Sequence, residues 1–234
     1  ETYTITITTP DNAGNTATRS YTVMIDKDAP TVSFSPSGNE TWKRNHSTTV
    51  TITDKDGNIQ SNVAVDYAWS GSGTSAPSSG WTTKNSGITV SGKSATFTIS
   101  QGGLSGKYYL WIRTSSIKDD AGNTPPVAVS AKAFWFDNTA PTAGTMTMKL
   151  GSASGGNYTN ATWTNQSVYI AVNNGSDAHS GHNSTTYTVR KSNGSTIYSN
   201  ITSAVTLDPG AGNTETYTIT ITTTDNAGNT ATRS

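Results

Sequence analysis

The sequence predicts an all-β protein built as a tandem array of β-sandwiches, and three observations support this prediction. Threonine alternates with valine, isoleucine and tyrosine along many short segments, which is the two-residue period of half-buried strands. No apolar stripe has the 3.6-residue period of a helix, so almost no helix is expected. Residues 1–20 return as residues 215–234 with one difference, Pro10 against Thr224. Such self-similarity indicates a repeat architecture.

Each copy of the repeat predicts an antiparallel hairpin. Tyr3, Ile5 and Ile7 alternate with threonines in the first strand, and residues 21–25 alternate again after a turn of sequence Asp-Asn-Ala-Gly-Asn. Asp and Asn can bond nearby backbone groups, and glycine accepts a positive φ without steric cost. A looser copy spans residues 106–123. The predicted turn residues are Asp11, Gly14 and Asn15, then Asp120, Gly122 and Asn123, and finally Asp225, Gly228 and Asn229.

Two proline-containing segments, 26–31 and 137–142, share the sequence Ala-Pro-Thr and predict stiff boundaries between domains. Residues 1–27 are therefore expected to be the C-terminal hairpin of a preceding domain. Residues 28–138 are expected to form one sandwich, and residues 139–234 a second sandwich that lacks its last strand.

Short strands are predicted in both sandwiches at the spacing typical of this architecture. In the first sandwich they cover residues 31–34, 48–53, 63–70, 80–83, 88–90, 95–100, 107–114 and 127–136. In the second they cover residues 145–150, 167–172, 185–190, 196–199, 204–207 and 216–223. The Gly/Ser-rich segment 70–80 has few apolar groups and is expected to be mobile.

Composition narrows the class of function. The 15 basic and 15 acidic residues give a formal net charge of +0, which argues against nucleic-acid binding and against insertion into a membrane. The chain has no cysteine, so it has neither a disulfide framework nor thiol chemistry, as in many bacterial surface domains. No nucleophile elbow, phosphate-binding loop or His-Glu-x-x-His helix is present, and we expect no enzymatic activity.

The repeated motifs resemble the bacterial immunoglobulin-like (Big-type) tandem repeat domains of large cell-surface proteins and adhesins. The motifs are the Asp-x-Ala-Gly-Asn hairpin, the Ala-Pro-Thr boundary, and the turn 177–181 followed by Tyr187. Another is Gly-x-Tyr-x-Leu-x-Ile at residues 106–112, and segment 54–58 departs from the family pattern because it lacks Ser-Gly. The resemblance implies tandem immunoglobulin-like β-sandwiches that serve as a stalk or spacer. It does not imply a ligand.

Two groups of residues could ligate a metal. Asp26, Asp28, Asp54 and Asp56 could offer oxygens to Ca²⁺, but the distant Glu of an EF-hand loop is missing. Asp177 could bind Zn²⁺ with His179 and His182. Because such loops usually use these side chains in solvated turns, we expect no metal and no other cofactor, with calcium as the alternative.

These observations predict a non-enzymatic extracellular stalk, spacer or filament segment at a bacterial cell surface. Its expected partners are neighbouring repeats of one covalent array or, alternatively, identical chains joined head to tail by strand donation. The alternative function is an adhesin tip or carbohydrate-binding module that contacts host or surface glycans. The candidates for a sugar platform are the six tryptophans, Trp42, Trp69, Trp81, Trp111, Trp135 and Trp163. Trp111 points away from the core face of its strand, whereas Trp69 is expected in the core.

Overall fold

The structure is a computed structural model that describes residues 1–61, 64–113 and 117–234. All regular elements in these ranges are β-strands, and every strand pair with a defined register is antiparallel. The predicted all-β class is confirmed. The described residues include no helix long and apolar enough to cross a membrane.

The described residues form nineteen strands. The first ten are β1 (Thr2–Pro10), β2 (Thr16–Met24), β3 (Thr31–Ser35), β4 (Asn39–Lys43), β5 (Asn45–Thr53), β6 (Val65–Ser70), β7 (Thr82–Lys84), β8 (Ile88–Ser91), β9 (Ser94–Gly102) and β10 (Gly106–Arg113). The others are β11 (Ala128–Val129), β12 (Phe134–Phe136), β13 (Thr145–Leu150), β14 (Val168–Asn173), β15 (His182–Lys191), β16 (Thr196–Ile201), β17 (Val205–Leu207), β18 (Tyr217–Asp225) and β19 (Thr230–Arg233).

The chain divides into two compact units. Unit 1 comprises Glu1–Asn39, Ser47–Ser100 and Tyr108–Ala133, and unit 2 comprises Glu40–His46, Gln101–Lys107 and Phe134–Ser234. The domain boundaries expected at residues 27 and 138 remain a prediction. Most predicted strands are present at the expected places, although Val63 and Thr114, two predicted strand ends, lie outside the described residues. The predicted strand 127–136 is found as two short strands, β11 and β12.

Unit 1 contains a two-stranded hairpin and two antiparallel sets of strands with a core between them. The hairpin pairs β1 with β2 over nine residue pairs, from Thr2↔Met24 to Pro10↔Thr16. One sheet has the strand order β3-β5-β9-β8. On the other side of the core, β10 pairs with β6 and β11, and β6 pairs with β7. The core consists of inward-facing residues of these strands, among them Val50, Ile52, Phe97, Leu110 and Ile112.

Unit 2 contains a three-stranded sheet of order β13-β14-β17 and a four-stranded sheet of order β16-β15-β18-β19. Their facing side chains form one core around Ile170, Tyr187, Val189, Leu207 and Ile221. Tyr187 is fully buried, and its hydroxyl donates a hydrogen bond to the Ser203 carbonyl at 2.6 Å. A buried phenol needs such a partner. The two facing sheets are consistent with a β-sandwich.

Candidate metal centre

The three repeated turns have a common construction, seen most simply in the first. Asp11 Oδ1 accepts hydrogen bonds from the backbone N–H groups of Ala13 and Asn15 at 2.9 and 2.8 Å. Asn15 Nδ2 donates to Asp11 Oδ2 at 2.8 Å. Gly14 has a φ of 85°, a conformation that strains residues with a Cβ. The side-chain bond from Asn15 is the largest cause that holds the pKa of Asp11 below its usual value.

The last turn repeats these bonds in a buried setting. Asp225 Oδ1 accepts from the N–H groups of Ala227 and Asn229, and Asn229 Nδ2 donates to Asp225 Oδ2 at 2.8 Å. Asp225 is fully buried and Asn229 is 8% exposed. Gly228 has a φ of 89°. The same five residues therefore make the same turn whether or not a sandwich covers them.

In the middle turn the aspartate that accepts these bonds is Asp119. The prediction of its neighbour, Asp120, as the turn residue is wrong. Asn123 donates to both Asp119 oxygens at 2.8 Å, through its N–H and its Nδ2. Asp120 is exposed, and its N–H donates to the Asn58 carbonyl at 2.9 Å. The four-residue spacing from Asp11 to Asn15, applied to Asn123, would have identified Asp119.

The asparagine of the turn also binds a backbone carbonyl of a predicted boundary segment. Asn123 Nδ2 donates to the Asp26 carbonyl at 3.3 Å in unit 1. Asn229 Nδ2 donates to the Asp137 carbonyl at 3.0 Å in unit 2. Asp26 and Asp137 each stand before an Ala-Pro-Thr sequence. The turns are thus attached to the boundary segments by equivalent contacts.

Three aspartates converge in unit 1, and we call them the unit 1 acidic trio: Asp26, Asp54 and Asp119. Each offers an oxygen, and these oxygens lie within 4.8 Å of one another. Asp54 is 2% exposed and Asp119 is fully buried. A Cβ at Gly57 would lie 3.1 Å from Asp26 Oδ2, so this glycine leaves room for the carboxylate.

Unit 2 contains the equivalent trio, formed by Asp137, Asp177 and Asp225, whose oxygens also lie within 4.8 Å of one another. Asp177 Oδ1 accepts from the N–H groups of His179, Ser180 and Gly181. Burial raises the pKa of Asp177, but these backbone bonds outweigh burial and hold it below its usual value.

The loop of Asp54 follows the same plan as that of Asp177 although it lacks Ser-Gly. Asp54 Oδ1 accepts from the N–H groups of Asp56 and Gly57. In each unit, therefore, one aspartate comes from a boundary segment, one from a loop and one from the repeated turn.

The unit 1 acidic trio meets a further criterion for holding a cation. Asp26 Oδ2 and Asp54 Oδ2 are buried, and neither has a hydrogen-bond partner in the part of the chain that the structure describes. A buried carboxylate oxygen without a partner is costly, and a cation would remove that cost. Oxygen-only ligands suit Ca²⁺. The residues of this trio fit a hard divalent cation.

The other metal candidates from the sequence lie in less suitable places. Asp28 and Asp56 are exposed, although each has a carboxylate oxygen within 4.8 Å of a carboxylate oxygen of Asp26. His182 Nε2 lies 2.9 Å from the Thr185 hydroxyl. The ring of His179 contacts Trp42 at 5.7 Å between centroids. His179 and His182 do not join Asp177 in a metal cluster within the described ranges.

Comparison with known proteins adds no further information on the site. No family model matches this chain, and no curated protein matches it.

Trp111, one of the candidate sugar platforms, is 6% exposed. Its Nε1 donates to the Ser72 carbonyl at 2.8 Å, so the Gly/Ser-rich segment 70–80 covers the outer face of the strand. A buried ring cannot stack on a sugar, and Trp111 is not a platform in this fold.

Proposed function

We propose that this chain is a non-enzymatic extracellular stalk, spacer or filament segment of a bacterial surface protein, built from tandem immunoglobulin-like sandwiches. One observation carries the proposal. The hairpin sequence occurs in two settings. The copy at residues 215–234 lies within a sandwich, whereas the copy at residues 1–20 has an uncovered apolar face. A hairpin that copies the end of a sandwich but has nothing covering it fits a series of repeats in which each such hairpin completes the sandwich that precedes it.

The hairpin face, defined as Tyr3, Ile5, Ile7, Tyr21 and Val23, is the uncovered surface. These side chains are between 41% and 53% exposed. The register Tyr3↔Val23 and Ile5↔Tyr21 places them on one side of the hairpin. Such a contiguous apolar surface typically marks an interaction site.

The burial of the C-terminal copy supports a neighbouring repeat as the partner of this surface. In β18, Ile221 is 4% exposed and pairs with Tyr187 of β15, and Ile219 pairs with Val189. The offset between the copies is 214 residues, from residue 1 to residue 215. The proposal therefore places Ile7 opposite a residue equivalent to Tyr187, and Ile5 opposite one equivalent to Val189, in a neighbouring repeat. Burial of each isoleucine would contribute about 1.5 to 3 kcal/mol.

The neighbouring repeat can belong to the same polypeptide or to a second chain. In a covalent array the hairpin completes the preceding sandwich of one long protein. In strand donation the same hairpin completes the sandwich of an identical chain, and the resulting head-to-tail contacts form a filament. We favour the covalent array, because β18 already occupies the acceptor edge of β15 in this chain.

We further propose that the unit 1 acidic trio binds Ca²⁺. The unpartnered oxygens of Asp26 and Asp54 support this proposal. A cation held by Asp26, Asp54 and Asp119 would fix the boundary segment against the turn of the following sandwich, which would stiffen a stalk.

Small-angle X-ray scattering tests whether the repeats form an extended stalk. The chain is compared with a duplicated chain in which residues 1–214 are followed directly by residues 1–234. A stalk predicts that the maximum dimension rises nearly in proportion to the number of repeats. A maximum dimension that barely increases would contradict the proposal.

A second candidate function, a carbohydrate-binding module or adhesin tip, is favoured by a separate observation. Unit 2 has an open cavity beside an exposed tryptophan, Trp163.

A further inference from the structure

We propose that unit 2 binds a neutral saccharide in the cavity beside Trp163, with one sugar ring stacked on the indole. The cavity has a volume of about 440 Å³ and is lined by residues of unit 2 alone. This volume lies within the range of small-molecule sites. The site does not depend on the stalk, since its residues are present in a single chain.

Trp163 is 80% exposed, the highest value among the large apolar side chains that the structure describes. An exposed indole is costly to hydrate and offers a flat apolar face. Tyr158 and Tyr217 also line the cavity. Aromatic faces combined with polar tips suit a ligand that has an apolar face and polar edges. A pyranose ring has this character, because its C–H groups project from its faces and its hydroxyl groups from its rim.

The segment that carries Trp163 has a fixed and unusual backbone. Tyr158 N–H donates to the Met148 carbonyl at 3.0 Å, which anchors the segment to β13. The Tyr158 hydroxyl then donates to the Thr162 carbonyl at 2.6 Å, closing a turn. Within that turn Ala161 has a φ of 61°, a conformation that costs a non-glycine residue free energy and occurs often at functional sites.

The polar lining of the cavity indicates a neutral ligand. Asn160, Gln166 and Asn213 contribute side-chain amides, which can donate and accept hydrogen bonds and so match sugar hydroxyl groups. No lysine or arginine lines the cavity, so phosphate and acidic sugars have no counter-charge there.

The charged residue of the lining is Glu215. Its Oε1 accepts from the hydroxyl and the N–H of Ser192, at 2.6 and 3.1 Å, and from the N–H of Thr216. The bonds from Ser192 hold the pKa of Glu215 below its usual value. One oxygen of this carboxylate is therefore already occupied by the protein.

Calorimetry with the full chain tests the proposal. The probes are methyl glycosides of neutral hexoses, neutral N-acetylhexosamines, their disaccharides, and sialic and uronic acids as charged comparisons. At least one neutral probe is expected to bind. Trp163→Ala should weaken that binding about tenfold or more, and Trp163→Tyr should retain most of it because it keeps an aromatic face. Gln166→Ala should weaken it less than Trp163→Ala.

Met24→Ala is the matched control, because Met24 is 77% exposed but lies in unit 1; it should leave binding unchanged. Unchanged thermal unfolding of Trp163→Ala would show that the variant is folded. The proposal is overturned if no neutral probe binds, if Trp163→Ala binds as the original chain does, or if only acidic sugars bind. The proposal is also overturned if the chain self-associates and Trp163→Ala abolishes this self-association. The cavity beside Trp163 would then be a contact with a second copy of the chain. None of these outcomes changes the scattering test of the stalk.

Discussion

Ile7 and Ile221 occupy the same position in two copies of one sequence, yet Ile7 is 52% exposed and Ile221 is 4% exposed. Both lie opposite an arginine on the second strand of the hairpin, Arg19 and Arg233 respectively. The difference is that Ile221 also pairs with Tyr187 of β15. Ile221 also packs in one core with Ile170 and Leu207 of the facing sheet. Local sequence therefore determines the hairpin, and the rest of the sandwich determines its burial.

The glycine of the repeated turn should be required for stability. Gly122 has a φ of 92°, so Gly122→Val should cost about 1 to 3 kcal/mol in the free energy of unfolding. Chemical denaturation measures this loss. Gly156→Val is the control, because a Cβ at Gly156 meets no atom within 4 Å and its φ lies outside the strained region. Equal stability of the two variants would show that the turn does not need glycine.

Calcium should stabilise the chain through the unit 1 acidic trio. Calcium at about 100 times its dissociation constant should add about 2.7 kcal/mol, which thermal unfolding would report as a higher Tm. Asp54→Asn should abolish this increase. In chelator the same variant should be at least as stable as the original chain, because it removes a buried charge without a full set of partners.

Asp120→Asn is the control for calcium, since it recreates the Asp-Asn-Ala-Gly-Asn turn of the other two copies. It should keep the calcium response. If calcium leaves the Tm of the original chain unmoved, the trio is a hydrogen-bonded turn and not a cation site.

Unit 2 should become less stable in mild acid, because the buried His46 would have to be protonated. The ring is 6% exposed, its Nε2–H donates to the Trp135 carbonyl at 2.9 Å, and it packs against Phe136 at 4.8 Å between centroids. Burial lowers the pKa of His46, and Lys43 lowers it further, although the bond to Trp135 opposes them.

The unfolded chain binds a proton at His46 more readily than the folded chain does. The contribution of neutral His46 to the free energy of unfolding should therefore be fully present above about pH 6.5 and should be lost as the pH falls towards the lowered pKa of the folded state. NMR titration of the imidazole and denaturation at several pH values would show this. A His46 pKa at or above the usual value would contradict the expectation.

Denaturing mass spectrometry of the protein isolated from its source organism separates the two kinds of array. A covalent array predicts one polypeptide much larger than the 24.5 kDa of this chain. Strand donation instead predicts subunits of about that mass, because only non-covalent contacts would join them.

Much of the fold could be predicted from the sequence because the strands are local. Alternation of Tyr217, Ile219 and Ile221 with threonines is enough to place β18. The repeated Ala-Gly-Asn sequence is enough to place the turns, although the aspartate of the middle turn is Asp119 and not the predicted Asp120. The burial of Trp111 could not be predicted. It depends on segment 70–80, which has no apolar pattern yet packs so closely that a Cβ at Gly73 would lie 2.7 Å from the Tyr109 ring.

The candidate sites were harder to predict because they depend on contacts between distant parts of the sequence. Asp26, Asp54 and Asp119 are far apart in the chain, and only the fold brings their carboxylates together. The expectation of a solvated turn is therefore wrong for Asp54, which is 2% exposed, and the buried Asp119 was not among the candidate ligands predicted from the sequence. Trp163 lies in a segment without periodicity, so its exposure could not be predicted from the sequence. Its neighbour Ala161 shows the unusual backbone only in the structure.

Hydrogen exchange on the duplicated chain tests the joining of repeats most directly. Residues 1–214 followed by residues 1–234 contain the N-terminal hairpin twice, once free and once directly after an acceptor sandwich that lacks its own β18 and β19. The amides of Tyr3 to Thr9 should exchange rapidly in the first copy. In the second copy they should be protected as strongly as those of Tyr217 to Thr223.

Ile7→Asp in the second copy should remove that protection, whereas Thr6→Asp, on the opposite face of the strand, should largely preserve it. Equally rapid exchange of both hairpins in the duplicated chain would contradict the proposal that neighbouring repeats complete one another.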